Sequence, residues 1–369
     1  MVDSIIEKAA KINPVPFSSA VAYSENQDQL VTEVNTILTG SSDVKKLIGQ
    51  KPLSVMYDNH KNHAAFMSNV FKLNDFELMS KVIIWVYKTY HVQGFSYDYF
   101  PAAMKSWIEA LGKHLDPSKT GPLVEVYQWI IQNHEQIIEE SLSIIEPPLF
   151  IDQRWQELEE LFLSSLVKGD HRESIRLATD NIHSSSDLAE FYLQVIQPAM
   201  YEIGSLWERG ALSVAREHLA SAIVTRVMAS LYPKFILLEQ TKGNAVVTAA
   251  PNEFHEIGPR MVADMLEMDG WDVDYTGANT PARDLLDLIT EKKPFLVAIS
   301  MGMPFNIDRT QELIQMIREQ QQLKDTRIML GGHCLKMIKQ DRQSFGVDGI
   351  GDSARDAVLM AAEWWENAG

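Results

Sequence analysis

The sequence is poor in cysteine and in basic residues, and each shortage excludes a class of function. A single cysteine, Cys334, permits neither an intramolecular disulfide nor a zinc site built from cysteines. The 33 Lys and Arg residues are outnumbered by 50 Asp and Glu, which gives a formal net charge of −17. A surface this acidic repels phosphate backbones and anionic lipids, so we expect neither nucleic-acid binding nor membrane binding.

Long apolar runs are also missing. No run approaches the ~18 residues that a membrane-spanning helix needs. The start, MVDSIIEKAAK, lacks the apolar centre of a signal peptide. These two absences predict a cytoplasmic protein. The 369 residues, of which 46% are hydrophobic, are enough for two or three domains with full cores.

The periodicity of the apolar residues divides the chain into three segments. Residues 1–147 show a helical period and end at Pro147 and Pro148, which predicts an all-α domain. Residues 150–240 contain four helical patterns with short loops, which predicts a four-helix bundle. Residues 244–369 alternate short β-type runs with helical patterns, which predicts a doubly wound, Rossmann-like (flavodoxin-like) parallel sheet. The predicted protein is therefore multidomain, of α and α/β class.

The most informative motif follows the first predicted strand, AVVTAA. The loop PNEFHEIGP places Glu253, His255 and Gly258 at the carboxyl end of that strand, where doubly wound sheets bind ligands. An imidazole there can ligate a metal, a carboxylate two residues earlier can orient it, and a glycine lets a ligand approach the backbone. Taken alone, the spacing favours a surface histidine on a tight loop over a metal ligand. The absence of G-x-G-x-x-G after the strand disfavours a dinucleotide.

Small residues at the ends of two later strands extend this candidate site. They are Ser300 and Gly302 in AISMG, and Gly331 and Gly332 in LGGH. With the ExHxxG loop they resemble the D/ExHxxG…S…GG pattern of cobalamin-binding domains, over roughly residues 244–369. The resemblance implies that His255 is the lower axial ligand of cobalt, that Glu253 orients it, and that the displaced dimethylbenzimidazole tail lies beside Ser300 and the paired glycines. The chain departs from the pattern in having Glu where many members have Asp, and Gly302 where many have Leu or Thr.

A second motif lies in the predicted bundle, in LWERGALSVAREHLASAI. Gly210 predicts the end of one helix and Ser213 the cap of the next, so Trp207 meets Glu217 and His218 at a corner. An indole wall beside a hydrogen-bonding pair suits an aromatic or sugar-bearing ligand such as a nucleoside. From the residues alone, core packing of the Trp and an interface role for the His stay open as alternatives.

Ahead of a cobalamin domain, the W-x9-EH spacing resembles the light-sensing coenzyme-B12 photoreceptors of the CarH type. The resemblance implies adenosylcobalamin between bundle and sheet, with Trp207, Val214, Glu217 and His218 around its upper face. It also implies a non-enzymatic photoreceptor, in which light breaks the Co–C bond and changes a homo-oligomeric assembly that signals to an unidentified protein partner. Glu208 stands where the CarH proteins have a histidine ligand, which excludes a bis-histidine adduct through that position.

The N-terminal segment replaces the DNA-binding domain of the CarH proteins with aromatic-rich helices. The stretch YHVQGFSYDYFPAAMKSWIEALGKHL resembles the globin-like sensor domain of photocobilins, which bind cobalamin and biliverdin. This resemblance implies that biliverdin is held by hydrogen-bonding side chains: His60, His63, His91, Tyr97 and His114. A ligand-free docking domain is the alternative, and the 28-residue spacing from His63 to His91 leaves haem open. Because Cys334 lies elsewhere, a thioether-linked bilin is excluded here.

Other functions compatible with a cobalamin site stay open. A corrinoid methyl carrier for a methyltransferase has a similar bundle and sheet, but the W-x9-EH corner disfavours it because the corner crowds the approach of a methyl donor. A cobalamin sensor without a second chromophore is also open. A cobalamin-dependent isomerase would need a substrate barrel, and none is visible in the sequence.

Overall fold

The computed structural model describes residues 4–143, 150–236, 239–338 and 342–368. The chain forms two compact units, residues 1–146 and residues 147–369. The predicted break at Pro147 and Pro148 lies outside the described residues. Within the described ranges, no helix is both long and apolar enough to cross a membrane.

Unit 1 is helical, as the periodicity predicts. Its helices within residues 4–143 are α1 (Ile5–Ala9), α2 (Phe17–Glu25), α3 (Gln27–Gly40), α4 (Val44–Ile48), α5 (Leu53–Leu73), α6 (Phe76–Val92), α7 (Tyr99–His114), α8 (Pro117–Gln132) and α9 (His134–Ser143). Carboxylates begin two of the longer ones, because Asp75 and Asp116 accept backbone N–H groups that have no partner within the helix. The finer assignment as a globin-like domain stays a prediction.

The interior of unit 1 is packed with aromatic rings. Tyr87 and Phe100 stack with centroids 3.7 Å apart, and Trp107 lies parallel to Tyr127 at 6.1 Å. The hydroxyl of Tyr127 is 2.9 Å from that of Tyr23, so two buried phenols satisfy each other. Side chains of the unit itself therefore fill the space between these helices.

Unit 2 begins with helices that share one hydrophobic core, here called the helical region (residues 153–235). They are α10 (Gln153–Lys168), α11 (His171–Asn181), α12 (Ser185–Phe191), a π-helical turn (Tyr192–Ile196), α13 (Gln197–Glu208) and α14 (Val214–Phe235). The predicted corner is confirmed: Gly210 has a φ of +71° after α13, and the side chain of Ser213 accepts from the backbone N–H of Arg216. Classification as a four-helix bundle stays a prediction.

The rest of unit 2, here called the sheet region (residues 244–366), is a parallel sheet with helices, as predicted. Its strands are β1 (Asn244–Ala249), β2 (Asp272–Tyr275), β3 (Leu296–Ser300), β4 (Arg327–Gly331) and β5 (Gly349–Gly351). Its α-helices are α15 (Ile257–Met268), α16 (Ala282–Lys292), α17 (Ile307–Arg318) and α18 (Ala354–Glu366). The strand order β2-β1-β3-β4-β5 reverses direction beside β1, which is the switch point where such sheets bind ligands.

The register of the strands brings their carboxyl ends together. Ala249 pairs with Ser300, Ser300 with Gly331, and Gly331 with Gly351. The loops that follow β1, β3 and β4 therefore start side by side. They carry the residues that the sequence singled out.

The helical and sheet regions share part of their core. Met261 and Met265 of α15 and Ala354 of α18 belong to the same buried cluster as the core residues of the helical region. Because α15 begins two residues after His255, this seam connects the helical region directly to the loop after β1.

Candidate functional site

The side chain of Glu253 organises the loop after β1. It is only 1% exposed. Its Oε1 accepts from the ring Nδ1 of His255 at 2.5 Å and from the backbone N–H groups of Phe254 and His255 at 3.1 and 3.2 Å. Three donors on one oxygen hold the imidazole in a defined position.

The other oxygen of Glu253 is held by the loop after β3. Oε2 accepts from the backbone N–H groups of Gly302 and Met303 at 2.8 and 2.9 Å, and from the side-chain amide of Asn306 at 3.2 Å. Sequence reasoning missed Asn306, which is fully buried. Its position just past AISMG was the only available signal, because its contact with Glu253 spans 53 residues of chain.

This arrangement leaves one nitrogen of His255 for a metal. Nδ1 is bonded to Glu253, and the side chain is nevertheless 71% exposed, so Nε2 is the ring atom that can ligate. The hydrogen bond from Glu253 raises the pKa of His255 against the effect of burial, and the charges of Glu253 and Glu217 add to it. Burial favours a higher pKa for Glu253, but the hydrogen bonds from His255 and Met303 outweigh it and lower that pKa. The carboxylate is therefore ionised, and it makes the imidazole a more basic and stronger ligand for a metal.

The helix corner faces this loop. The charge of Glu217 acts on His255, and Thr225 of α14 donates to Glu256 at 3.5 Å. Glu217 itself is held by His218, whose Nδ1 lies 2.5 Å from its Oε2, and by Ser221, which donates to Oε1 at 3.0 Å. The structure therefore brings a carboxylate of the W-x9-EH motif within electrostatic range of the ExHxxG loop.

The other corner residues differ in burial. Trp207 is half-buried and packs against the core of the helical region. Val214 is exposed, and so is His218. Packing explains part of the indole but not these exposed neighbours. Their role toward a ligand stays a prediction.

The glycines at the strand ends differ in what they allow. A Cβ at Gly302 would lie 3.1 Å from Glu253 Oε2 and 3.4 Å from His255 Nδ1. Gly332 has a φ of +108°, and a Cβ there would lie 2.3 Å from the carbonyl oxygen of Met301. Gly332 is thus required by the backbone itself, and at Gly302 an added methyl group would press on Glu253. Gly258 is not required in this way, because a Cβ there would meet nothing within 4 Å, and Ser300 and Gly331 simply end their strands.

In unit 1, two of the five predicted bilin contacts belong to one packed aromatic cluster. His60 is buried, with Nδ1 2.6 Å from Asn35 Oδ1 and Nε2 3.0 Å from the hydroxyl of Tyr99. His63 lies against Trp107, with centroids 5.2 Å apart, and burial lowers the pKa of His60 to about 4 and that of His63 to about 3. Both rings are neutral core residues. Nε2 of His63 and Nε1 of Trp107 are buried without a hydrogen-bond partner among the described residues.

The other three predicted contacts make separate local interactions. His91 is exposed and stacks on Tyr97 at 3.8 Å, while its Nδ1 is 3.2 Å from the carbonyl oxygen of Phe95. His114 is 3.1 Å from Glu33. The role of these three residues toward a ligand stays a prediction.

Two segments of the chain match family models that are both described as B12 binding domain. The first covers residues 243–359 and the second residues 158–232. They therefore coincide with most of the sheet region and with much of the helical region. The two matches support a cobalamin cofactor.

Curated relatives cover just over half of this chain and nearly all of their own length. Dimethylamine corrinoid protein 1 of Methanosarcina mazei is 23% identical over 210 residues, which are 56% of this chain and 94% of that protein. Trimethylamine corrinoid protein 1 of Methanosarcina acetivorans is 26% identical over 198 residues, which are 51% of this chain and 88% of that protein. The solved Methanosarcina barkeri monomethylamine corrinoid protein is 18% identical, covers 57% of this chain and 99% of its own, and superposes with a TM-score of 0.49.

These findings overturn the expected photoreceptor. The relatives are corrinoid proteins named for methylamines, and nothing in the matches supports light sensing, light-dependent assembly, the adenosyl form of the cofactor or biliverdin. The error has a physical reason. W-x9-EH predicts a corner between two helices, and a corner does not by itself determine which ligand lies against it. For the histidines of unit 1, composition alone does not decide between core packing and a ligand pocket, because both use the same residue types.

Gly302→Ala is expected to weaken cobalamin binding about tenfold, at a cost of about 1 kcal/mol in stability. The added methyl group pushes on both Glu253 and His255, so the imidazole loses its defined orientation. Titration with hydroxocobalamin measures the affinity. Gly204→Ala on α13 is the matched control, because a Cβ there meets nothing within 4 Å. Equal affinities for the two variants would contradict the prediction.

Proposed function

We propose that this chain is a corrinoid protein that carries a methyl group for a partner methyltransferase, with His255 as the lower ligand of cobalamin. The observation that carries the proposal is the Glu253–His255 pair at the end of β1. Its imidazole has one nitrogen bonded to a buried carboxylate and the other left for a metal. The curated relatives, which are named corrinoid proteins, support the same assignment.

The residues present fit the cofactor. The exposed ring of His255 offers Nε2 as a ligand, and Gly302 leaves no side chain against that ring. When bound, cobalamin supplies a cobalt centre that accepts and releases a methyl group. The nucleotide tail is proposed to lie beside Ser300, Gly331 and Gly332, with Gly258 admitting close approach of the ligand to the backbone.

The side chains of this protein hold the cofactor and cover it, and they do not take part in the methyl transfer themselves. Glu253 fixes the tautomer of His255, and the amide of Asn306 with the N–H groups of Gly302 and Met303 fixes Glu253. The upper face is proposed to be covered by the corner residues: Trp207, Val214, Glu217 and His218. They exclude water from the cofactor while no partner is bound. In this reading the chain is a carrier and the catalyst is its partner.

A carrier has to hold the methyl form of its cofactor well. We expect the full-length chain to bind methylcobalamin at least as tightly as adenosylcobalamin, since the small upper ligand leaves the corner closed.

We also expect Trp207→Ala to speed the methylation of the reduced, bound cofactor by methyl iodide about tenfold, because the indole no longer covers the upper face of the cofactor. Absorption spectra measure the affinity and the rate, and gel filtration shows whether the methyl group stays with the protein.

A control variant distinguishes loss of the indole over the cofactor from a general disturbance of α13. Gly204→Ala, on the same helix as Trp207, should behave as the wild type in both measurements. A chain that binds no cobalamin would overturn the proposal. So would a preference for adenosylcobalamin greater than about tenfold, because 1.4 kcal/mol of selectivity indicates a pocket built for the larger ligand.

A further inference from the structure

A strip of polar side chains crosses the otherwise apolar seam between the helical and sheet regions. Asp264 of α15 is 4% exposed, and its Oδ2 accepts from the hydroxyl of the fully buried Tyr192 at 2.6 Å. Nearly one turn further along α15, Glu267 accepts from the hydroxyl of Tyr232 of α14, also at 2.6 Å. Apolar side chains of the same helix, among them Met265, bury the rest of the seam.

Tyr192 reaches the seam from an irregular turn. It begins the π-helical turn that joins α12 to α13, and π turns are concentrated at functional positions. Pro198 lies two residues after the end of this turn. Because proline has no N–H, it cannot donate a hydrogen bond to the carbonyl of Gln194. The local sequence therefore favours the wider, π-helical turn that begins at Tyr192. The ring of Tyr192 belongs to the core of the helical region, and its hydroxyl reaches out of that core to a carboxylate of α15.

A buried carboxylate is a costly way to hold a seam together. Replacing buried polar pairs by apolar residues is often neutral or stabilising, so such a pair serves to specify one arrangement of the seam more than to stabilise it. The groups that act on Asp264 are Tyr192 from the π turn, Tyr232 from α14, Arg260 and Glu267 from α15, and Tyr275 from β2. Arg260 is the only cation among them. The carboxylate is thus poorly compensated when it is charged.

We propose that Tyr192 and Asp264 form a latch that holds the helical region against α15 and opens to uncover the site for a partner. This inference rests on the proposed function, since a carrier whose upper face is covered by the helix corner has to open. The latch is well placed to act on the site, because α15 begins two residues after His255.

The charge on Asp264 sets the direction of the pH dependence. Burial raises the pKa of Asp264 from 3.8 to about 6, although the hydrogen bond from Tyr192 and the charge of Arg260 oppose the rise. The closed seam therefore binds the proton more tightly than an open, solvated one. Closure is favoured at low pH and is weakened as the pH rises through about 6. With an ordinary pKa in the open seam, the open fraction rises about tenfold between pH 5 and pH 8.

Hydrogen–deuterium exchange of the full-length chain, without cobalamin, tests the latch. Exchange of residues 185–208 and 257–268 is converted to protection factors at pH 5 and pH 8, which removes the intrinsic pH dependence of exchange. For the wild type we expect protection to fall about tenfold across this range. Asp264→Asn, which keeps the acceptor but not the charge, should abolish that fall. Tyr192→Phe should lower protection at pH 8 by a further factor of about ten.

Tyr127→Phe is the matched control, because it removes a buried phenol hydroxyl that bonds to Tyr23 in unit 1. It should leave exchange in the seam unchanged. A tenfold pH effect that persists in Asp264→Asn would overturn the latch, and so would wild-type protection in Tyr192→Phe. If Tyr192→Phe does not fold, the pH profile of Asp264→Asn still decides. Since no cofactor is present, a chain that shows the latch but accepts no methyl group would refute the proposed function alone.

Discussion

His255→Ala is expected to weaken cobalamin binding by more than about a hundredfold. Loss of a residue that merely orients a metal ligand typically costs 10–100-fold in affinity, so loss of the ligand itself should exceed that range. The variant also leaves the buried carboxylate of Glu253 without its charge-assisted partner at 2.5 Å. Titration of the full-length chain with hydroxocobalamin measures the affinity. Electron paramagnetic resonance of the bound Co(II) form reports the lower ligand through its nitrogen superhyperfine splitting.

The control for this variant is another exposed histidine of unit 2. His171→Ala at the start of α11 removes an imidazole of similar exposure and should leave both the affinity and the nitrogen splitting unchanged. The assignment of His255 as lower ligand would be wrong if the nitrogen splitting persisted in His255→Ala loaded with cobinamide, which has no dimethylbenzimidazole to take the place of the imidazole. An unchanged affinity would be equally decisive, because it would show that the ExHxxG loop does not contact the metal.

Glu253→Ala is expected to have the largest effect on stability, a loss of about 3–5 kcal/mol in unit 2. The carboxylate accepts six hydrogen bonds: from the N–H groups of Phe254, His255, Gly302 and Met303, from the ring of His255 and from the amide of Asn306. With the acceptor removed, buried donors from two loops lose their partner at once, and each costs about 1–3 kcal/mol unless water replaces it. Differential scanning calorimetry measures the loss, with the transition of unit 1 as an internal reference.

Glu253→Gln distinguishes the effect of the negative charge at this position from the effect of the volume of the side chain. It fills the same volume but has one acceptor oxygen and an amide that donates, so it is expected to destabilise less than the alanine and to weaken cobalamin binding 10–100-fold. The pKa of Glu253 lies below its ordinary value, so its stabilising contribution is present near neutral pH and is lost as the pH falls into the acid range. The glutamine variant should lack that dependence. A loss of less than about 1 kcal/mol in Glu253→Ala would contradict the anchoring role.

Some features of the site were predictable because they depend on local order. The β-type runs predicted β1 to β5, and a parallel sheet places the ends of its strands at one edge. The position of Glu253 and His255 on a loop at that edge follows from the strand alone. The cap at Ser213 and the left-handed Gly210 are likewise decided within a few residues of chain.

The function implied by the resemblance to photoreceptors was wrong, because motif spacing does not determine which ligand a helix corner covers. Motif spacing predicted a helix corner that carries Glu217, and only the structure shows that the charge of Glu217 acts on His255. Spacing does not state which group the corner has to cover, because a helix corner of the same shape can face a methyl group or a nucleoside. The histidines of unit 1 raise a related point: His60 and His63 lie among packed aromatic rings, and composition does not distinguish a core from a pocket.

The sequence by itself determined the order of helices and strands and the loop that carries His255, since these depend on the period of apolar residues and on turn chemistry. Only the tertiary structure decided what holds that histidine, because Asn306 meets Glu253 across 53 residues. Only the tertiary structure, too, pairs Tyr192 with Asp264 across 72 residues. A buried carboxylate is defined by donors that folding brings together from distant positions, and no local pattern records them.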